Sequence, residues 1–99
     1  MSMDAKARKA LAVIQDCVEH GRYLVLPHFV DRMNDRGFFW PDVLAVVESP
    51  DDVRPDGRDE YDRPKWIISG KSADGLPVEL VCVLDTDDRG HTTVFITLY

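Results

Sequence analysis

His28, Arg32 and Arg36 recur at i, i+4 and i+8, the spacing that lines side chains up along one face of a helix. An imidazole exchanges protons near neutral pH, and guanidinium groups hold phosphoryl oxygens, so this stripe is suited to phosphate chemistry. Without a function, the same stripe is a solvated face whose arginines pair with Asp31, Asp35 or other nearby acids. Lys65, Lys71, Tyr61 and Tyr99 are further residues of fitting type. Metal-free cleavage of RNA by its own 2′-hydroxyl needs a proton acceptor, a proton donor for the leaving oxygen, and cations on the crowded phosphate. Histidine, tyrosine, arginine and lysine supply those roles.

Other chemistries lack their signatures. There is no phosphate-binding loop, dinucleotide glycine fingerprint or helical zinc motif. His20, His28 and His91 do not have metal-ligand spacing. Cys17 and Cys82 form no Cys-x-x-Cys pair and read as buried free thiols. No Ser-His-Asp set stands out by spacing. No metal or other cofactor is expected.

The stripe has to be held by a helix, and the chain punctuates one. Pro27 suits a first turn, where a missing N–H costs nothing, and Gly37 suits the left-handed position that ends a helix. Phe29, Val30 and Met33 fall on the side that can face a core. Upstream, Ala10, Val13, Ile14 and Cys17 mark an amphipathic helix from about Asp4 to His20. Lys6, Arg8 and Lys9 sit at its start, the wrong end for the helix dipole; a fraying turn or a bound partner would accommodate them. Arg22 to Leu26 is a short β-prone run at a sheet edge. Phe38, Phe39 and Trp40 supply aromatic anchors, at least two of them for the core. Pro41 to Glu48 forms a third helix, with Asp42 favourably placed in its first turn.

Asp51 to Arg63 is crowded with charge and broken by Pro55 and Gly57. It reads as an exposed loop with at most a short edge strand near Val53. A β-meander follows: Lys65 to Lys71, an Asp74-Gly75 turn, Val78 to Leu84, a polar turn from Asp85 to Gly90, and His91 to Tyr99. Strand alternation puts Lys65, Ile67, Ser69, Lys71, Thr93, Phe95, Thr97 and Tyr99 on one partly polar face. It puts Trp66, Ile68, Leu80, Cys82, Leu84, Val94, Ile96 and Leu98 on the face that helices cover.

With 99 residues the chain has room for one domain and one modest core. No apolar run is long enough to span a bilayer and no signal-peptide pattern opens the chain, so a soluble cytoplasmic protein is expected. The net charge of −6 works against broad phosphate gripping, and RNA would have to approach through a local cationic patch.

The run His28-x-x-x-Arg32-x-x-x-Arg36-Gly37, the Asp42-Val43 helix ending near Pro50, the strand ending Gly70-Lys71, Asp74-Gly75 and the terminal Val94-Phe95-Ile96-Thr97-Leu98-Tyr99 stand in a recognisable order. From about Val25 onward the chain resembles the bacterial domain-of-unknown-function 4258 family. That family is similar to the RelE-like ribonuclease toxins of type II toxin–antitoxin systems, and the leading helix brings this chain nearest the motility quorum-sensing regulator branch. The resemblance implies an α+β fold, with N-terminal helices packed on one face of a small antiparallel sheet. It also implies an mRNA endonuclease and a cognate antitoxin partner of zinc-ribbon or helix-turn-helix type. His28, Arg32, Arg36, Lys71 and Thr97 occupy its recurrent positions; Tyr61, Lys65 and Tyr99 are added from residue chemistry and strand parity. In this reading His28 is the acid or base and the cations hold phosphate. Lys65 and Thr97 bind substrate, and Tyr61 or Tyr99 stacks on a base or moves a proton. Toxins of this class are usually basic, so a non-enzymatic interaction module of the same fold stays open as the alternative.

Overall fold

Three helices and five strands follow one another as α1 (Ala5–Glu19), β1 (Tyr23–Val25), α2 (Pro27–Arg36), α3 (Trp40–Glu48), β2 (Asp52–Arg58), β3 (Pro64–Lys71), β4 (Pro77–Asp87) and β5 (Gly90–Leu98). The computed structural model describes residues 3–99; Met1 and Ser2, which open the stretch read above for a signal pattern, lie outside them. The strands form one sheet in the order β1-β5-β4-β3-β2. The fold is α+β. Its sheet is antiparallel except at one edge, where β1 runs parallel to β5. Among the described residues, no helix is long and apolar enough to cross a membrane.

Local chemistry sets each helix end. The Asp4 carboxylate accepts from the Ala7 N–H at 2.7 Å and caps α1, whose stripe of Ala7, Ala10, Ile14 and Cys17 is buried. Pro27 opens α2. Gly37 closes it with φ 72°, and the following Phe38 N–H donates to the Met33 carbonyl at 2.9 Å. Asp42 accepts from the Phe39 N–H at 2.9 Å and, through its other oxygen, from the Ala73 N–H at 3.1 Å. One carboxylate thus caps α3 and ties it to the β3–β4 turn.

The helices lie against one face of the sheet, α2 on β5 and α3 on β3, with α1 against β5 and β2. Phe29 is fully buried and its ring sits 5.4 Å from that of Phe95. Met33 packs at the margin of this core, whereas Val30 is exposed. Trp40 stacks on Tyr23 at 5.2 Å and Phe38 is buried, while Phe39 stays exposed, so two of the three aromatics serve the core. Gly70 lets α3 come close: a Cβ there would stand 3.1 Å from Val46 Cγ1 and 3.5 Å from Pro50 Cα.

Besides the exposed Val30, three expectations need correction. Most of the supposed Asp51–Arg63 loop is strand. β2 pairs with β3 from Asp52 to Arg58, with a register shift between Pro55 and Arg58. Val53 is buried, and the sheet edge tolerates a proline that has no N–H to donate. The polar turn from Asp85 is also shorter, because β4 continues through Asp87.

The third correction concerns parity on β5. Phe95 pairs with Cys82 and Thr97 with its neighbour Val81, so Ile96 is an extra residue, a β-bulge. A bulge resets the alternation. Phe95 packs among Phe29, Trp40 and Tyr23, and Thr93, fully buried, pairs with core residue Leu84. Val94 and Ile96 line the opposite face, reversing the expected assignment of Phe95, Thr93, Val94 and Ile96; Leu98 and Thr97 keep theirs.

Candidate functional site

The face of the sheet away from the core carries a hollow of about 820 Å³, a size typical of ligand sites. Val81, Val94 and Ile96 contribute to its apolar floor. The Ile96 bulge builds that floor, because it leaves Val94, Ile96 and Thr97 all on this side. β2 and the turn after it form a wall, so the segment expected to be a loop is part of the site. His28 enters at the start of α2, and Tyr61, Lys65, Thr97 and Tyr99 complete the candidate set within this one hollow.

Arg32 joins from the next turn of α2. Its Nε donates to the Leu98 carbonyl at 3.1 Å, and its guanidinium carbon stands 5.6 Å from the centroid of the Tyr99 ring. Arg36, one turn further on, lies over Phe38 at 5.1 Å. It lines a neighbouring hollow of about 360 Å³ that also includes Ser69, Glu79 and Tyr99. Tyr99 is therefore common to both depressions. Lys71 is exposed, lines neither, and stands 3.7 Å from Asp51. The structure thus gathers His28, Tyr61, Lys65, Thr97 and Tyr99, sets Arg32 against Tyr99, and leaves Arg36 and Lys71 outside.

The charge balance is local. Lys65 stands 3.6 Å from Asp56, and Arg63 is held by Asp59 at 2.7 Å and by Asp85 at 3.7 Å. Among the described residues, Arg32 and Arg36 enter no ion pair, so the stripe is not the acid-paired surface that Asp31 and Asp35 would have made. Thr97 is buried, and its hydroxyl has no hydrogen-bond partner among the described residues.

Asp59 organises the wall. It accepts from the Arg63 side chain at 2.8 Å, from the Arg63 N–H at 2.8 Å and from the Tyr61 N–H at 3.1 Å. The Arg63 guanidinium, then these backbone donors, hold its carboxyl below the usual range. Asp62 takes a left-handed φ of 61°, which aspartate tolerates, and Arg63 lies over Tyr61 at 5.0 Å. Sequence reasoning left Asp59 and Arg63 out. Their legible signal was an aspartate opening a tight turn, with an arginine four residues on.

Beside the neighbouring hollow, Arg54 donates to Glu79 at 2.8 Å and to Ser69 at 3.0 Å, and Ser69 donates to Glu79 at 3.0 Å. The Arg54 guanidinium and the Ser69 hydroxyl lower the Glu79 carboxyl, and Glu79 in turn raises Arg54. Cys82 is fully buried, which pushes its thiol up to about 12 and leaves it without nucleophilic use at neutral pH. Among the described residues, no three His, Cys, Asp or Glu side chains gather as a metal site.

A family model described as domain of unknown function (DUF4258) matches residues 25–99. No curated protein and no solved structure matches the chain.

Proposed function

The chain belongs to the DUF4258 family, and from that premise we propose that it is a RelE-like toxin of a type II toxin–antitoxin system, cutting mRNA without a metal. One observation carries this reading: His28, Tyr61, Lys65, Thr97 and Tyr99 line a single hollow, and the Arg32 guanidinium, which enters no ion pair among the described residues, lies against its Tyr99. Proton-transfer groups, phosphate-binding cations and base-stacking rings then lie within reach of one nucleotide step. The 2′-hydroxyl gives its proton to a base, its oxygen attacks the adjacent phosphorus, the bond to the 5′-oxygen breaks, and that oxygen takes up a proton from an acid. His28 acts as the acid or base, Lys65 and Arg32 stabilise the crowded phosphate, and the Thr97 hydroxyl holds a substrate oxygen. Tyr61 and Tyr99 stack on bases. Arg36 and Lys71, outside the hollow, guide the flanking strand. The site works in the bacterial cytoplasm under a cognate antitoxin of zinc-ribbon or helix-turn-helix type.

The test is induced expression in a bacterial host, together with purified protein on RNA. The expected result is growth arrest, and cleavage products ending in 2′,3′-cyclic phosphate that form equally well with a chelator present. His28→Ala and Arg32→Ala relieve both effects while leaving the melting transition in place. Intact RNA at high protein concentration would overturn the nuclease reading.

A second reading, a protein-interaction module, is favoured by a separate observation. Leu24, Leu26 and Tyr61 are exposed around the hollow, and β1 forms an open edge of the sheet to which a partner strand can add. In that case the RNA stays intact, and a partner binds whose affinity falls on Leu24→Asp.

A further inference from the structure

A third depression, a cleft of about 500 Å³, opens where α1 crosses the β2–β3 edge of the sheet. Lys6, Lys9, Ala10 and Val13 reach it from one face of α1, at i, i+3, i+4 and i+7. Trp66 and Leu84 line it from the sheet. Two independent features mark it for a ligand. Trp66 is only 4% exposed, yet its indole Nε1–H has no acceptor among the described residues, a costly condition for a buried donor. Lys6 and Lys9 stand at the N-terminal end of α1, which has no acid in its first turn, and neither enters an ion pair among the described residues. Both lysines add to the positive end of the helix dipole instead of opposing it. Arg58 and Lys65 also border the cleft, with carboxylates of Asp62 at 3.7 Å and Asp56 at 3.6 Å beside them.

We propose that this cleft binds a small organic anion with a flat apolar body. Lys6 and Lys9 hold the carboxylate or similar group, the apolar lining takes the body, and an acceptor on the ligand satisfies Trp66. The proposal does not rest on the nuclease reading: Lys6 and Lys9 line this cleft and not the hollow at His28, although Arg58 and Lys65 border both.

The probe is 2-naphthoate, titrated into the full chain while the indole N–H resonances are followed by ¹H–¹⁵N correlation spectra. The Trp66 resonance is the one that vanishes in Trp66→Phe. It is expected to shift and saturate at one equivalent. Affinity is expected to fall about tenfold or more in Lys6→Gln/Lys9→Gln, and similarly for the neutral 2-naphthamide, because a charge-assisted contact is lost. Both lysines are exposed, so that variant keeps the fold, and the remaining spectrum verifies it. A Trp66 resonance unmoved at millimolar probe overturns the proposal. So does equal affinity in the charge-free variant.

Discussion

Arg32 is bound twice at the end of the chain: its Nε donates to the Leu98 carbonyl at 3.1 Å and its guanidinium lies against the Tyr99 ring. The carbonyl fixes one edge of the planar group, and the remaining N–H donors are left for a phosphate. Arg32→Lys keeps the charge but loses this fixed orientation. We expect Arg32→Ala to slow RNA cleavage by about 10²–10³-fold, as removal of a transition-state donor does. The salt dependence of RNA binding should flatten by about one unit of log–log slope. Arg32→Lys should recover the slope but not the rate, which separates positioning from charge. Filter binding over a salt series and single-turnover kinetics measure the two.

Lys65 and Lys71 share a strand and a parity, yet only Lys65 lines the hollow. Lys65→Ala is expected to reduce cleavage by about 10-fold or more, and Lys71→Ala by no more than about 2-fold. Equal losses in a side-by-side rate comparison would place the substrate path over Asp51 instead.

The lowered carboxyls of Asp59 and Glu79 give stability a defined pH dependence. A carboxyl whose folded value lies below its unfolded one stabilises the fold fully above the ordinary range near pH ~4. That contribution is lost as pH falls through this range towards the lowered values. The melting temperature should therefore be nearly flat from pH 7 to 5 and drop below that. In Glu79→Gln the deficit relative to the parent should be largest near neutrality and shrink towards pH 3. Thermal melts across that pH series supply the check.

Phe95 is fully buried against three aromatic rings, a placement that depends on the Ile96 bulge. Phe95→Ala should cost about 3–5 kcal/mol in urea unfolding, the range for deleting a buried aromatic. Ile96→Ala, on the opposite face and part exposed, should cost less than half as much.

Much of this protein follows from short-range chemistry, and those features were legible in the chain alone. Pro27 and Gly37 bound α2, Asp42 starts α3, Asp74-Gly75 turns the meander, and the apolar spacing of α1 marks its buried stripe, because each depends on residues within a turn or two of itself. The alignment of His28, Arg32 and Arg36 followed from their spacing on one helix, and the α+β class was what the family resemblance implied. Tertiary pairing decided the rest. Strand parity propagates only until a bulge interrupts it. The bulge at Ile96 exists because Phe95 must meet Phe29 and Trp40 while Leu98 still pairs with Leu80, a condition imposed by other strands and helices. The parallel docking of β1 on β5 and the folding of β2 into a wall are likewise long-range events. They determine that His28, Lys65 and Tyr99 share a hollow and that Lys71 does not, because concavity is a property of the assembled sheet and not of any strand within it.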